Sequence, residues 1–250
     1  MNSPIDLVDK NNLPRHIAVI MDGNGRWAKK KGAKRIFGHQ NAIKAVRDIS
    51  EGSAELGIKY LTLYAFSTEN WKRPKAEIKG LMGLLVSTIR NETETLIKNN
   101  IQLQAIGDLQ SLPVKCQREL NEAIDITSRN NGLTLILALS YSGRWDIVQG
   151  IKRLLKDVKK GLILENDITQ QLFSHYLSTS NIPDPELLIR TSGEMRISNF
   201  LLWQMAYTEL YITELLWPDF RKEHLVDAII AYQKRERRFG KISEQVNLEG

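Results

Sequence analysis

Short apolar runs of strand length alternate with longer amphipathic stretches along the chain. Several of the runs are apolar on both faces, which is typical of a parallel sheet covered by helices on both sides. We therefore predict an α/β fold with a mostly parallel central sheet flanked by helices. Strands are predicted at 16–21, 59–66, 101–107, 133–139, 186–191 and 210–213. Helices are predicted at 38–56, 77–99, 113–129, 144–158, 167–177 and 222–238.

Composition limits where such a chain works and what it binds. No repeat or low-complexity linker divides the 250 residues, so we expect one domain over 1–250, with 1–14 as a flexible N-terminus. The single cysteine, Cys116, excludes an intramolecular disulfide and fits a reducing compartment such as the cytoplasm. We expect no signal peptide at the polar, acidic start and no membrane span, since the apolar runs are far shorter than the ~20 residues that a span needs.

The charge balance suits an anionic partner. Lys and Arg number 35 against 29 Asp and Glu, a net charge of +6. Nucleic acid, a phosphorylated metabolite and an acidic membrane surface all satisfy such a balance. Net charge alone does not choose among them.

The segment that follows the first predicted strand combines a carboxylate, glycines and basic residues. In parallel sheets, ligands bind outside the carboxyl ends of the strands, which is where Asp22 lies. Gly23 and Gly25 let the backbone approach a ligand. Charge-assisted hydrogen bonds are expected from three side chains, Arg26, Arg35 and His39. Because Asp22 repels phosphate, a bridging Mg²⁺ is needed, and this predicts a magnesium-diphosphate site. The alternative is a glycine turn before a solvated basic helix.

Two further loops lie at the same predicted edge. The loop at 65–74, "AFSTENWKRP", follows the second strand, and "RTSGEMRIS" at 190–198 follows the fifth. Arg190 and Arg196 flank a glycine turn in the latter, which makes a second phosphate site plausible. Glu209 is a candidate second carboxylate for the metal. The alternatives are an ordinary capped loop, two solvated arginines and a surface glutamate.

Long blocks of the chain carry a family resemblance. "HIAVIMDGNGRWAKKKG", "GHQNAIKAV", "LTLYAFSTENWKRP" and "LLIRTSGEMRISNFLLWQMAYTELYITELLWPDF" resemble the signature blocks of cis-prenyltransferases, most closely those of bacterial undecaprenyl diphosphate synthases. The blocks span about residues 16–240, and "RERRFG" at 235–240 resembles the ending of that family. The resemblance implies that isopentenyl diphosphate units extend an allylic diphosphate, typically farnesyl diphosphate, with cis double bonds. The product would be a long-chain polyprenyl diphosphate such as undecaprenyl diphosphate, a lipid-carrier precursor for cell-wall synthesis.

The resemblance also implies roles for individual residues. Asp22 would bind Mg²⁺ and be essential, with Glu209 as second magnesium ligand. The allylic diphosphate would be held by Gly23, Asn24, Gly25, Arg26, Arg35 and His39, with Trp27 beside it. The mobile loop near the reacting carbons would comprise Ser67, Thr68, Glu69, Asn70, Trp71 and Arg73. Isopentenyl diphosphate would be held by Arg190, Arg196, Ile197 and Ser198.

Three further points concern single residues: the role of Asn70, two departures from the family pattern, and the surroundings of Asp22. Asn70 is the family's usual proton acceptor, but a neutral amide is a very weak base. The alternative is that Asn70 orients the substrate while a phosphate oxygen takes the proton. Ser192 and Met195 stand where relatives often have glycine and histidine. Asp22 is expected to be exposed, with its charge poorly compensated until Mg²⁺ arrives.

A growing hydrocarbon tail needs shelter from water, at ~25 cal/mol per Å² of apolar surface. The apolar faces of helix 77–99 and strand 133–139 would supply a hydrophobic tunnel, although a plain packed core has the same pattern. Gly80 and Gly83 indicate that space is needed along the helix. The resemblance further implies a homodimer and no nucleic-acid partner. The lipid product predicts transient contact with the inner face of the membrane.

Two rival functions remain at this point. A magnesium-dependent phosphohydrolase also has an aspartate after strand one, but Asn24 stands where the second aspartate of a DxD pair is needed. A non-catalytic partner with the same fold would be free to lose the first site. This chain keeps Asp22, Gly23, Arg26 and Arg35 together with Asn70, which favours an active enzyme.

Overall fold

A single six-stranded sheet organises the chain in a computed structural model, which describes residues 7–237. The strand order is β3-β4-β2-β1-β5-β6, and every neighbouring pair is parallel. The strands are β1 His16–Ile20, β2 Tyr60–Ser67, β3 Gln102–Ile106, β4 Thr134–Tyr141, β5 Leu187–Arg190 and β6 Glu209–Ile212. The helices are α1 Asn24–Lys30, α2 Arg35–Leu56, α3 Lys75–Lys98, α4 Val114–Thr127, α5 Gly143–Lys159, α6 Gln170–Ser174 and α7 Lys222–Gln233.

The α/β fold with a parallel sheet is confirmed, and most element boundaries agree within a few residues. The largest differences are in the later helices. The stretch predicted at 167–177 is helical only over Gln170–Ser174, and the last helix ends at Gln233. No helix within residues 7–237 has the length and apolar character needed to cross a membrane.

The described part of the N-terminal segment, which the sequence predicts to be flexible over 1–14, contacts the core and α7. Val8 is buried in the main core. The Gln233 side chain donates to the carbonyls of Asp9 (2.7 Å) and Asn12 (2.9 Å). Residues 1–6, which were part of that prediction, lie outside the described residues.

Helices α2 and α3 run side by side over one face of the sheet. Both begin at the carboxyl edge and end at the amino edge, because each connects to the next parallel strand. In α3 the buried positions Met82, Val86, Ile89 and Leu96 recur at helical spacing and join the main core. This arrangement places the first turns of both helices beside the loops that follow β1 and β2.

His16, the first residue of β1, is a buried neutral histidine. Its Nδ1 lies 2.6 Å from the Pro183 carbonyl oxygen and its Nε2 lies 2.7 Å from Thr62 Oγ1. Burial lowers the pKa of His16 to about 4, opposed by the Pro183 carbonyl and Glu186. The ring therefore joins β1 to β2 and to the segment before β5 without carrying charge near neutral pH.

The lowered pKa of His16 predicts a pH-dependent stability. Protonation below the ordinary pKa of 6.5 favours the unfolded chain, so stability is full above about pH 6.5 and falls as the pH approaches 4. Lowering the pH from 7 to 5 should reduce the free energy of unfolding by on the order of 2 kcal/mol through protonation of His16. Urea unfolding at both pH values should show that His16→Gln loses less stability between pH 7 and 5 than the unsubstituted chain does. His175→Gln, at an exposed histidine, is the control and should leave the difference unchanged.

Candidate active site

Asp22 is fixed by the carboxyl ends of β1 and β5. Its backbone N–H donates to Thr191 Oγ1 (2.9 Å), and the same hydroxyl donates to the Asp22 carbonyl (2.7 Å). The carboxylate accepts the Gly23 N–H (2.7 Å) and an N–H of Arg190 (2.9 Å). The Arg26 guanidinium lies 3.8 Å from the same carboxylate. The expectation of a poorly compensated charge is therefore wrong, since two arginines face a carboxylate that is 32% exposed.

Arg190 is a buried cation with one hydrogen-bonding atom to spare. Its side chain is 3% exposed. Nη1 donates to Ser198 Oγ (2.8 Å) and to the carbonyl of Arg196. Nε is buried and has no partner in the described chain. Because buried donors are nearly always paired, this N–H fits a ligand oxygen.

Arg26 joins the two predicted phosphate loops. It donates to the carbonyl (3.1 Å) and the hydroxyl of Ser192 and lies 3.0 Å from Glu194. Ser192 is buried and has φ of 74°, a left-handed conformation that favours glycine. The serine that stands where relatives often have glycine is thus strained, and its hydroxyl makes a contact that glycine lacks.

Gly38 lets α1 and α2 meet beneath the first loop. A Cβ atom at this position would lie 2.0 Å from the Asn24 carbonyl oxygen. One residue further, His39 Nδ1 lies 3.3 Å from the Asn24 amide nitrogen. His39 Nε2 and Asn24 Oδ1 are buried without partners in the described chain. These atoms are available to a bound substrate.

The imidazole of His39 is neutral near pH 7. Burial, with Arg73 and Arg35 nearby, lowers its pKa to about 4, while Glu77 opposes the shift. If Nδ1 accepts from the Asn24 amide, Nε2 carries the proton. His39 therefore offers a neutral N–H rather than the expected charge-assisted hydrogen bond.

Glu77, which sequence reasoning missed, holds two of the predicted arginines. Its carboxylate lies 3.3 Å from Arg73 Nη1 and 3.6 Å from Arg35 Nε. The spacing of Arg73 and Glu77, four residues apart across the start of α3, is the signal that predicts such a pair. The pair keeps both guanidinium groups at the mouth of the site.

In the loop after β2, Asn70 and Trp71 have different surroundings. The Asn70 side-chain oxygen accepts the Ser67 backbone N–H (3.1 Å), so its NH₂ group remains for a ligand. This favours an orienting role over proton acceptance. Trp71 turns into the core, where its ring meets Phe66 edge-on (5.0 Å) and its N–H donates to Ser140 Oγ (2.9 Å). Thr68 and Glu69 contact each other, and Glu69 accepts from Asn199 (2.8 Å).

Four predicted site residues make their contacts at the margin of this cluster. Trp27 donates to Asp219 (2.8 Å) and packs against Phe37 (5.8 Å between ring centroids). Arg196 is 63% exposed and pairs with Glu194. Ile197 packs against the core on the other face of the sheet. A Cβ atom added to Gly25 would lie 3.3 Å from the Arg35 guanidinium.

The structure does not bring Glu209 to Asp22. Glu209 begins β6 opposite Leu187, whereas Arg190, which contacts Asp22, pairs with Ile212. Glu209 therefore lies three strand residues, or about 10 Å, from the level of the sheet at which Arg190 contacts Asp22. The Glu209 carboxylate pairs instead with Arg235 (2.7 Å). A metal shared by both carboxylates therefore has no support within one chain.

Asp22 alone fits the kind of magnesium site that substrate completes. No cluster of three or more metal-ligating side chains occurs in residues 7–237. Mg²⁺ commonly takes one or two carboxylates together with phosphate oxygens and water. A half-buried carboxylate beside arginines at the sheet edge matches that donor set.

An apolar cavity extends from this cluster between α2, α3 and the sheet. Its near end is lined by Asn24, His39, Asn70 and Arg73. Its walls include Ile43, Val46, Leu81, Leu84, Leu85, Ile89, Leu103, Leu135 and Leu137. Over α2 the lining reaches Glu51, about 18 Å from His39 at 1.5 Å per residue.

The glycines of α3 do not line this cavity, which favours packing over a ligand as the reason for the space at Gly80. A Cβ on Gly80 would lie 3.2 Å from Ile36 Cδ1, so Gly80 serves packing against α2. Gly83 has nothing within 4 Å of an added Cβ and borders a groove on the outer side, beside Pro113 and Cys116.

Comparisons with known proteins show which family the chain belongs to. A family model described as "Putative undecaprenyl diphosphate synthase" matches residues 20–240. The chain belongs to the undecaprenyl diphosphate synthase family. It is therefore a prenyltransferase by family, which confirms the resemblance of the sequence blocks.

Relatives match this family member over nearly its whole length. An isoprenyl transferase of Chlorobaculum tepidum is 54% identical over 94% of this chain and 88% of its own. A farnesyl-diphosphate-specific ditrans,polycis-undecaprenyl-diphosphate synthase of Pasteurella multocida is 51% identical over 95% and 99%. Lavandulyl diphosphate synthase of Lavandula x intermedia, solved with dimethylallyl diphosphate, has a TM-score of 0.90 at 38% identity, covering 92% and 100%.

The contact at Gly38 yields a prediction about the site's scaffold. Gly38→Ala should displace the Asn24 backbone and lower the free energy of unfolding by ~1–3 kcal/mol, despite the better helix propensity of alanine. Gly83→Ala, in a helix with open space, should instead raise it by ~0.5–1 kcal/mol. Urea unfolding of both variants measures the contrast. Equal stabilisation in both would contradict the close approach of α1 and α2.

Proposed function

We propose that this chain is a magnesium-dependent cis-prenyltransferase that condenses isopentenyl diphosphate units onto an allylic diphosphate. The observation that carries the proposal is the meeting of two arginine-bearing loops at Asp22, at the mouth of an apolar cavity. A phosphohydrolase needs no such cavity. A non-catalytic partner needs neither the carboxylate nor the unpartnered buried donor atoms.

The chain's own residues supply binding and orientation. The allylic diphosphate would lie against Arg26, Arg35, the His39 N–H and the glycine loop. These groups stabilise the negative charge that develops on diphosphate as it leaves. Mg²⁺ at Asp22 would neutralise further charge on the diphosphate oxygens when bound. The Asn70 amide would orient the reacting carbons, and a phosphate oxygen would take the proton.

The isopentenyl diphosphate would be held by the second loop. Arg190 Nε lies at its buried end, Ser198 is held by Arg190, and Arg196 would exchange Glu194 for a phosphate. Holding both substrates converts the carbon–carbon bond formation into a step within one complex. The Asp22–Arg190 contact joins the two sites, and with Mg²⁺ held by Asp22 an Arg190 N–H would be free for the second diphosphate.

The apolar cavity between α2, α3 and the sheet would be the tunnel that receives the growing tail. Farnesyl diphosphate is the proposed starter, because that substrate appears in the names of two relatives about half identical to this chain. The proposed product is a long-chain polyprenyl diphosphate such as undecaprenyl diphosphate. Water-soluble substrates and a lipid product suit a cytoplasmic homodimer that visits the membrane surface.

The decisive test is incubation with Mg²⁺, farnesyl diphosphate and labelled isopentenyl diphosphate, followed by chromatography of the lipid extract. Asp22→Ala should abolish turnover and lower the free energy of unfolding by ~1–3 kcal/mol, because Arg190 is left buried without its carboxylate. Asp22→Asn, which keeps an acceptor for Arg190, should lose turnover with a smaller loss of stability. Near-normal turnover of either variant at saturating Mg²⁺ would rule out this metal site.

A second substitution separates the two diphosphate sites. Arg196→Ala should raise KM for isopentenyl diphosphate far more than KM for farnesyl diphosphate. Losing one charge-assisted hydrogen bond costs ~1.5–3 kcal/mol, or roughly tenfold to a hundredfold. Steady-state kinetics with each substrate varied in turn measures the split. Equal increases in both constants would show that Arg196 does not belong to one site.

A further inference from the structure

The seam between α2 and α3 forms the solvent side of the apolar cavity. Near the mouth the helices touch, since Ile36 packs against Gly80. At the far end the Asn99 amide donates to Glu51 (3.4 Å). Between these contacts, cavity-lining residues such as Val46 and Leu84 separate the two helices. A hydrocarbon inside the cavity is therefore bounded on this side only by what bridges the seam.

An ion pair, Arg47–Glu92, bridges the seam in its lower half. The contact is bidentate: Arg47 Nη2 lies 2.6 Å from one carboxylate oxygen of Glu92, and Nε lies 2.8 Å from the other. Arg47 is 50% exposed and Glu92 is 14% exposed, while both line the cavity. The pair thus has solvent on one side and the apolar cavity on the other.

Stability alone is a poor explanation for charges at this place. Half-exposed ion pairs contribute little to stability, and apolar side chains would close an apolar wall as well. A planar, bidentate pair closes the seam with two charge-assisted hydrogen bonds, which a hydrocarbon tail cannot replace. Such a closure therefore resists a tail that presses on it.

Resting on the proposed function, we propose that the Arg47–Glu92 ion pair helps to set the length of the prenyl product by closing the seam between α2 and α3. While the pair is intact, the tail is confined to the cavity and elongation ends when the cavity is full. Arg47 lies eight residues from His39 along α2, about 12 Å at 1.5 Å per residue. The farnesyl tail of the starter ends near the pair, and each added unit drives it further along the cavity, so the pair acts on later condensations rather than on the first.

The same helix offers a matched control. Arg90, two residues before Glu92, makes a similar bidentate ion pair with Glu119 of α4. Neither Arg90 nor Glu119 lines the cavity. Substitutions there remove a comparable interaction of α3 without opening the seam.

The test compares product spectra and first-condensation rates, using the full chain, Mg²⁺, farnesyl diphosphate and labelled isopentenyl diphosphate. Glu92→Ala and Arg47→Ala should each shift the spectrum to longer products, with first-condensation rates within about twofold of the unsubstituted chain. Arg90→Ala should leave the spectrum unchanged. The exchanged pair Arg47→Glu with Glu92→Arg should restore the original lengths and guards against loss of folding in the single variants.

Three results would overturn the inference. These are an unchanged spectrum in both seam variants, an equal shift in Arg90→Ala, and a shift in the exchanged pair as large as in the single variants. Failure of the proposed function is distinguishable from these, because the unsubstituted chain would then form no elongated product at all. Urea unfolding of each variant identifies shifts that come from lost stability.

Discussion

The contact between Asp22 and Arg190 determines the rest of the site. It joins the carboxyl ends of β1 and β5, whose parallel pairing brings two loops together that are far apart in sequence. Thr191 reinforces the junction by donating to and accepting from the Asp22 backbone. A single buried cation thereby orients the carboxylate of one loop and the serine of the other, Ser198. Each of the two loops is thus shaped by the charges of the other.

Charge compensation also explains why the site is preformed. Arg26 is held by Ser192 and Glu194, and Arg35 and Arg73 are held by Glu77. These carboxylates occupy guanidinium groups that would otherwise repel one another. In the proposed reaction an incoming diphosphate would replace one anionic partner with another, so little reorganisation would be needed. His39 stays neutral among these cations, because its burial and the arginines oppose a further positive charge.

The cavity follows from the direction of two helices. Since α2 and α3 both descend from the carboxyl edge toward the amino edge, the space between them starts beside Asn24 and His39 at the candidate site. Gly38 brings α1 against α2 at the top, and the Glu51–Asn99 contact draws the helices together at the bottom. Reaction centre and apolar space are thus products of the same topology.

The sequence by itself determined the fold class, nearly all strands and long helices, and the residues that meet at the sheet edge. Periodicity and the long signature blocks are local properties, so they need no knowledge of packing. Only the tertiary structure decided which residues pair and where they lie. Arginines compensate the charge of Asp22, and Trp71 and Gly83 face away from the cavity. Glu209 lies about 10 Å along its strand from the level of the site. The physical reason is that strand register, burial and ion pairing join residues far apart along the chain, and no local pattern encodes those distances.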